Sequence, residues 1–255
     1  MIGVKIETEV LQRKLTRLER EQLPFALSLA INRTADIVKG AESDQIRDVF
    51  DRPTPFTQKA TLLSRPANKR GPFTRDVFLR NEATKGTPPV KYLAPEVRGG
   101  SRRHKRYERV LQRAGILGAS EFTVPGNGAR LNVYGNMSAG QIVQILSVLK
   151  ANTTSGFNAN QTKRSKARNK KPREYFVARR GAVTSGGVSR WPRLPEGIWE
   201  RYGAYGARVR PVLLFVDSAS YTARFRFTPV AERVYREQFA HQFRAALRQA
   251  VGSAR

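Results

Sequence analysis

The chain has 255 residues, and its 40% apolar content gives it enough material for a hydrophobic core. Its 47 Lys and Arg exceed its 20 Asp and Glu, and the formal net charge of +27 predicts a negatively charged partner. The chain has no Cys, which excludes disulfides, thiolate metal sites and a Cys nucleophile. The longest purely aliphatic or aromatic run, residues 212–216, is far too short to cross a bilayer, so no membrane partner is expected.

The excess positive charge is unevenly distributed along the chain. Residues 1–51 hold 8 basic and 9 acidic side chains, whereas residues 52–255 hold 39 basic and 11 acidic side chains. We expect these two parts to face different surroundings.

Helices are predicted in the N-terminal part, residues 1–51. Leu11, Leu15 and Leu18 recur at helical spacing, and Pro24 then favours the first turn of a second helix. That second helix is predicted over residues 24–50. Its apolar face is formed by Leu27, Ile31, Ala35, Val38, Ile46 and Val49.

Residues 52–100 are predicted to form an extended arm or loop-rich insertion. Two prolines, Pro53 and Pro55, end the preceding helix, and the segment is rich in Pro, Gly, Thr and Lys. Short strands are predicted at residues 75–80 and 90–93.

Residues 101–151 are predicted to form a helical insertion. Its first helix, residues 101–114, is strongly basic and is followed by turns. Ser138 and Gln141 have the spacing of a capping box, which predicts a second helix over residues 138–150.

Residues 152–173 contain no acidic residue, and seven basic residues lie between Lys163 and Arg173. This composition predicts a flexible loop that becomes ordered only against a partner.

The last part, residues 174–255, is predicted to contain antiparallel strands and a C-terminal helix. Strands are expected at residues 174–180, 197–202, 209–216 and 221–227, and Thr228-Pro229 should start the helix. The predicted fold class is therefore α+β, with the long N-terminal and C-terminal helices packed on an antiparallel sheet. Residues 1–51 and 174–255 are expected to form one core, into which the arm and the basic helix are inserted.

Candidate catalytic groups are scarce. His104 lies among cations and is expected to contact an acidic partner or solvent. His241 lies between two apolar helix positions and is expected to pack at the boundary of the core. The nearest acidic pairs are weak metal candidates: Asp76 with Glu82, and Glu196 with Glu200. Gly126-Asn-Gly128 lacks the residues of a phosphate loop and predicts a turn. The sequence thus predicts a protein that is not an enzyme and has no cofactor and no metal site.

Basic residues are the strongest functional signal. A run of charge is often only a solvated face, and that reading has about equal weight for the helix at 101–114. The acid-free loop is better explained by an anionic partner. Aromatic residues do not interleave with these runs, so sequence-specific nucleic-acid recognition has little support. The candidate contact residues for a partner or nucleic acid are Arg102, Arg103, Lys105, Arg106, Arg109, Arg113, Lys163, Arg164, Lys166, Arg168, Lys170, Lys171 and Arg173.

Both ends of the chain carry a family resemblance. The phrase Pro24-Phe-Ala-Leu-Ser-Leu-Ala-Ile-Asn-Arg-Thr-Ala35, followed by a long helix, resembles the opening of bacteriophage minor tail protein Z, the tail-completion family. The phrase Arg210-Pro-Val-Leu-Leu-Phe215 and the predicted helix at 229–251 follow in the same order as in that family. The middle, including residues 91–100, also looks like phage virion proteins of unassigned role.

The resemblance implies a non-enzymatic structural protein of a phage virion, made in the host cytoplasm and placed at the head-to-tail junction. It implies a homo-oligomeric ring of about six or twelve copies under the closure logic of cyclic assemblies. The implied partners are phage portal, adaptor, nozzle or tail-tube proteins, with non-specific contact to packaged DNA as a further expectation. The alternative from the residues alone is a basic nucleic-acid-binding protein of ribosomal or DNA-packaging type, and a nuclease ranks third.

Overall fold

The computed structural model describes residues 17–151, 174–179, 182–184 and 194–252. These residues form long helices and antiparallel sheets, so the predicted α+β class is confirmed. The helices are α1 (Arg17–Val49), α2 (Pro55–Gln58), α3 (Pro89–Arg98), α4 (Arg106–Arg113), α5 (Ala139–Val148) and α6 (Phe227–Gly252). The strands are β1 (Thr61–Leu63), β2 (Val77–Leu79), β3 (Gly100–Ser101), β4 (Phe122–Pro125), β5 (Glu174–Arg179), β6 (Ala182–Thr184), β7 (Gly197–Tyr202), β8 (Arg208–Val216) and β9 (Ser220–Tyr221).

The chain divides into two compact units. The first, here called the end unit, combines Met1–Arg98 with Ala223–Arg255, and the second, the inserted unit, is Gly99–Thr222. The prediction that residues 1–51 and 174–255 form one core is wrong for the strands. The structure instead assigns the strands β5 to β9 to the inserted unit and only the C-terminal helix to the end unit.

Two antiparallel helices, α1 and α6, form the main body of the end unit. Ala26 and Ala30 near the start of α1 pack on Ala246 and Ala250 near the end of α6, and all four are fully buried. Such small side chains allow the two helix backbones to approach closely. The partly buried side chains of Leu29, Phe239, Phe243 and Leu247 pack against these alanines.

Pro24 was predicted to lie in the first turn of a helix. It lies instead inside α1. Proline lacks the N–H that would donate to the preceding turn, and this loss destabilises a helix interior. The burial of Ala26 and Ala30 against α6 directly after Pro24 offsets that cost. The predicted helix end at residue 50 agrees with the observed end at Val49. The predicted helix around Leu11 and Leu15 lies outside the described residues.

Residues 52–98 fold as part of the end unit and do not form an extended arm, but they are loop-rich, as the other form of the prediction had it. They contain α2, the antiparallel pair β1 and β2, and α3. Ala60 and Leu93 are buried with Ile46 of α1 and with Phe225. The strand predicted at residues 90–93 is helical, because Pro89 suits a first helical turn and Leu93 and Glu96 are then buried on one face.

The inserted unit contains a five-stranded antiparallel sheet with the strand order β4-β8-β7-β5-β6. Leu111, Ile145, Ile198 and Leu213 form its main core, in which α4 and α5 cover the sheet. The predicted strands at 174–180, 197–202 and 209–216 are confirmed as β5, β7 and β8. Strand β4 has no counterpart in the sequence analysis.

The strand predicted at residues 221–227 is wrong. Tyr221 ends β9, which pairs with β3, and Phe227 already begins α6. The alternation of aromatic residues here has another cause, because Phe225 is buried beside Ile46 and its amide donates to the carbonyl of Glu96. The irregular stretch between β9 and α6 thus carries the chain back into the end unit.

Candidate cationic interaction surface

The basic segment at 101–114 is not one helix. Gly100 and Ser101 form β3, residues 102–105 have no regular structure, and α4 begins at Arg106. Gly99 and Gly100 have φ angles of 73° and 93°, which glycine adopts readily and an α-helix does not contain. The observed helix therefore begins five residues after the predicted start at residue 101.

Glu108 anchors this segment to the sheet. The carboxylate is completely buried and accepts two hydrogen bonds from Arg102, at 2.6 and 2.7 Å. It also accepts from the Lys105 amide at 2.5 Å, and from the amide and the hydroxyl of Thr123, each at 2.8 Å. Burial alone would raise the pKa of Glu108, but Arg102 and the other donors outweigh burial and lower the pKa to about 2.

The same residues cover the outer edge of β4, which is the end strand of the sheet. Glu108 accepts from the Thr123 amide, and Arg102 donates to the Thr123 carbonyl at 3.1 Å. His104 stacks on Phe122 with ring centroids 4.3 Å apart, and its Nε2 lies 3.1 Å from the carbonyl oxygen of Glu121. An uncovered strand edge would expose unpaired backbone groups to another strand. Arg102, a predicted partner contact, and His104, predicted to contact an acidic partner or solvent, therefore both make contacts within the fold.

Three arginines of α4 remain on the outside. Arg106, Arg109 and Arg113 are exposed and follow the i, i+3, i+7 spacing of a single helix face. Their Cα positions span roughly 10 Å at 1.5 Å per residue. We call these three residues the arginine stripe. Arg103, just before α4, is exposed as well.

No acid on α4 faces this stripe. Glu108 is the only acidic residue between positions 100 and 120, and it is turned inward onto Arg102. Leu111, which packs in the core of the inserted unit, fixes the same inner side of the helix. The helix is thus held from below by an ion pair and an apolar side chain while its cations face outward.

Lys105 is also exposed, just before α4. Its ammonium group lies 6.0 Å from the centre of the Tyr107 ring. Partial desolvation of that ammonium group, together with the nearby Arg102, lowers the pKa of Lys105. The remaining seven predicted contact residues, Lys163, Arg164, Lys166, Arg168, Lys170, Lys171 and Arg173, lie outside the described residues.

Helix α6 carries a second set of exposed arginines that the sequence analysis did not single out. Arg233, Arg244 and Arg248 are exposed, and Arg236 lies 3.5 Å from Glu232 one turn earlier. The helical spacing of these residues was visible in the sequence. Glu232 and Glu237 make this surface mixed in charge, in contrast to the arginine stripe.

The acidic pairs considered for a metal site have other partners. Glu200 is buried and accepts from Arg210, at 2.7 and 2.9 Å. Glu196 lies 3.0 Å from Arg179, which also binds Glu121. Among the described residues, no three acidic or histidine side chains come together as a metal site would require.

Other expectations concern single residues. Asp76 and Glu82 are exposed, and His241 is also exposed on α6, so the expected boundary packing of His241 is wrong. Gly126 and Gly128 form a turn, as predicted: the Gly126 amide donates to the Val212 carbonyl and the Gly128 amide to the Pro211 carbonyl.

Comparison with known proteins gives no relative. No protein family model, no curated protein and no solved structure matches the chain. Within the described residues, no helix is both long enough and apolar enough to cross a membrane.

Proposed function

We propose that the protein is a structural component of a phage virion, a neck, tail-completion or adaptor ring subunit that joins the head portal to the tail. The observation that carries the proposal is the arginine stripe on α4, which is positioned by the buried ion pair between Glu108 and Arg102. A fixed row of guanidinium groups pairs well with carboxylates on a neighbouring protein. The family resemblance of the chain ends supplies the kind of neighbour.

The proposal separates two tasks within one chain. The helices and sheet build a stable body, and the arginine stripe contacts an acidic face of a portal, adaptor, nozzle or tail-tube protein. Electrostatic complementarity of this kind selects the partner and accelerates docking. The covered edge of β4 suits such a role, because an open edge would invite wrong pairing during assembly.

Removal of the arginine stripe tests the proposal. In phage that carry the triple change Arg106→Gln, Arg109→Gln and Arg113→Gln, we expect unjoined heads and tails to accumulate. The matched control is Arg233→Gln, Arg244→Gln and Arg248→Gln, which removes the same charge from α6. Electron microscopy of lysates counts joined and free particles. Normal joining by the α4 variant, or absence of the protein from the neck and tail of purified virions, would refute the proposal.

A nucleic-acid-binding protein is the second candidate, because the same row of exposed arginines suits phosphates. If it is correct, purified protein binds duplex DNA, and the logarithm of the affinity falls with the logarithm of salt concentration. Loss of three phosphate contacts in the α4 variant should then reduce that slope by about 2.7. Equal slopes for the wild type and the variant would exclude the stripe as a DNA contact.

A further inference from the structure

The longest uncharged stretch of this highly charged chain displays apolar side chains on the surface. Residues 131–149 contain no Lys, Arg, Asp or Glu in a protein that is 26% charged overall. Within it, Val133 is 74% exposed, Leu131 is 52% exposed and Val143 on α5 is 55% exposed. Tyr134 is also exposed. We call residues 131–137 the apolar loop.

The apolar loop is held rigidly by its own hydrogen bonds. The side-chain oxygen of Asn132 accepts from the amides of Tyr134 and Asn136, each at 3.0 Å. The Asn132 amide donates to the Asn136 carbonyl at 2.8 Å, and Gly135 adopts a φ of 74° that permits the tight turn. Leu131 and Met137 close the loop as a β-bridge.

A buried glutamine fixes the base of this loop. Gln141 at the start of α5 accepts from the Arg130 amide at 2.6 Å and donates to the Gly128 carbonyl at 3.0 Å. The predicted capping box is thus only half formed. Ser138 accepts from the Gln141 amide, but the Gln141 side chain holds the loop. A loop ordered before binding loses little conformational entropy when a partner covers it.

The composition of the apolar loop indicates the kind of partner. Charged residues are depleted in the centre of protein interfaces, and aromatic side chains are enriched there. An acidic partner would gain most from the arginine stripe, whereas this loop offers it no cation. Two copies of a chain with a net charge of +27 repel each other through their cationic surfaces. A contact between copies therefore requires an uncharged surface.

We propose that the apolar loop packs against a second copy of this chain, with Val133 and Tyr134 as the central contacts. The inference deepens the proposed function, since it names one of the two surfaces that a head-to-tail contact between neighbouring ring subunits needs. The inference rests on the proposed function only in assuming that the associated copies close into a ring. The copy-to-copy contact itself follows from the loop.

The test is self-association of the full chain by sedimentation velocity over a range of protein concentrations. We expect oligomers that become stronger when salt rises from about 0.1 M to about 0.5 M, because salt screens repulsion between the cationic copies. Val133→Asp should weaken association by about tenfold or more. Val251→Asp is the matched control, since Val251 is 51% exposed and lies in the end unit.

Tyr134→Ser provides a second variant that adds no charge, and circular dichroism shows whether each variant is folded. A wild-type chain that stays monomeric at all concentrations, or folded loop variants that associate like the wild type, would overturn the proposal. The proposed function fails separately. The α4 triple variant should self-associate normally while it fails to join heads to tails, and docking of the wild type through the arginine stripe should weaken as salt rises.

Discussion

At the scale of single residues, two buried carboxyl groups have opposite pKa shifts. Glu108 is held by Arg102 and backbone donors, whereas Glu42 on α1 is fully buried and neither of its oxygens makes a well-formed hydrogen bond to a described residue. Burial raises the pKa of Glu42 to about 8, and the nearby Ala231 amide offsets this only in part. One carboxyl therefore stabilises the fold as an anion, and the other is tolerated mainly when protonated.

Replacement of Glu108 should weaken the fold. Glu108→Gln leaves Arg102 buried without a counter-charge, and we expect the free energy of unfolding at pH 7 to fall by roughly 3 kcal/mol. Because the folded pKa is depressed to about 2, the wild-type advantage is complete above the unfolded pKa of about 4.5 and disappears as the pH falls towards 2. Urea unfolding at several pH values measures the difference in the free energy of unfolding between the wild type and the variant. Glu82→Gln, at an exposed position, is the control, and equal stability of the two variants would contradict the assignment.

Replacement of Glu42 should have the opposite sign. A raised folded pKa means that the folded protein binds more protons than the unfolded chain between about pH 4.5 and 8, so wild-type stability falls as the pH rises through that window. Glu42→Gln should remove this fall and add roughly 1 to 3 kcal/mol at pH 8. Thermal unfolding across the pH window measures the effect. Asp48→Asn on the exposed face of α1 should keep the wild-type pH dependence, and a pH-independent wild type would contradict the prediction.

At the scale of elements, two glycines differ in the space around them: Gly126 lies close to the backbone of β8, and Gly140 has open space beside it. A Cβ at Gly126 would lie 2.4 Å from the Pro211 carbonyl oxygen, whereas a Cβ at Gly140 would meet nothing within 4 Å. The turn after β4 therefore requires glycine, and the first turn of α5 does not.

Gly126→Ala should destabilise the protein by about 2 kcal/mol or more, since the clash is with the backbone of β8. Gly140→Ala should be neutral or stabilising by up to about 1 kcal/mol, because alanine favours the helix. Chemical unfolding of both variants gives the comparison. Similar losses at the two positions would show that the contact between the turn and β8 has no special weight.

The elements also show which local signals were reliable. Strand β7 was predicted at the observed residues 197–202, because the sequence there is a short run flanked by Pro and Gly. The structure buries the first four residues of that run. The helix start predicted at Pro24 was wrong, because a rule based on neighbouring residues does not include the packing of Ala26 and Ala30 against α6. Strand β4 was missed because it is only four residues long and its outer edge is paired with side chains of the basic segment.

At the scale of the whole molecule, the inserted unit leaves and rejoins the end unit through neighbouring segments. The amides of Arg224 and Phe225 both donate to the Glu96 carbonyl, and the Arg224 side chain binds the Glu96 carboxylate at 2.6 Å. Gly100 pairs with Tyr221 on the other side of the boundary. Closely spaced ends of this kind are typical of a domain inserted into another.

We expect residues 99–222 to fold when expressed alone. The main core of the inserted unit, with Leu111, Ile145, Ile198 and Leu213, comes from that segment only. Cooperative thermal unfolding by circular dichroism would confirm independence. Residues 99–206, which lack β8, are the control and should not fold, because β8 joins β4 to the rest of the sheet. Failure of the longer fragment to unfold cooperatively would contradict the division.

The sequence by itself determined the α+β class, the long helices at both ends, the strands β5, β7 and β8, and the location of positive charge. These features depend on local periodicity and composition, which a single chain segment displays. Only the tertiary structure decided which cations face outward. Arg102, Arg106 and Arg224 look alike in the sequence, but Arg102 turns inward onto the buried Glu108 beside the β4 edge. Arg224 stays exposed, yet its side chain pairs with Glu96, 128 positions away. Whether a cation is paired depends on contacts that the folded chain makes, and local periodicity does not show them.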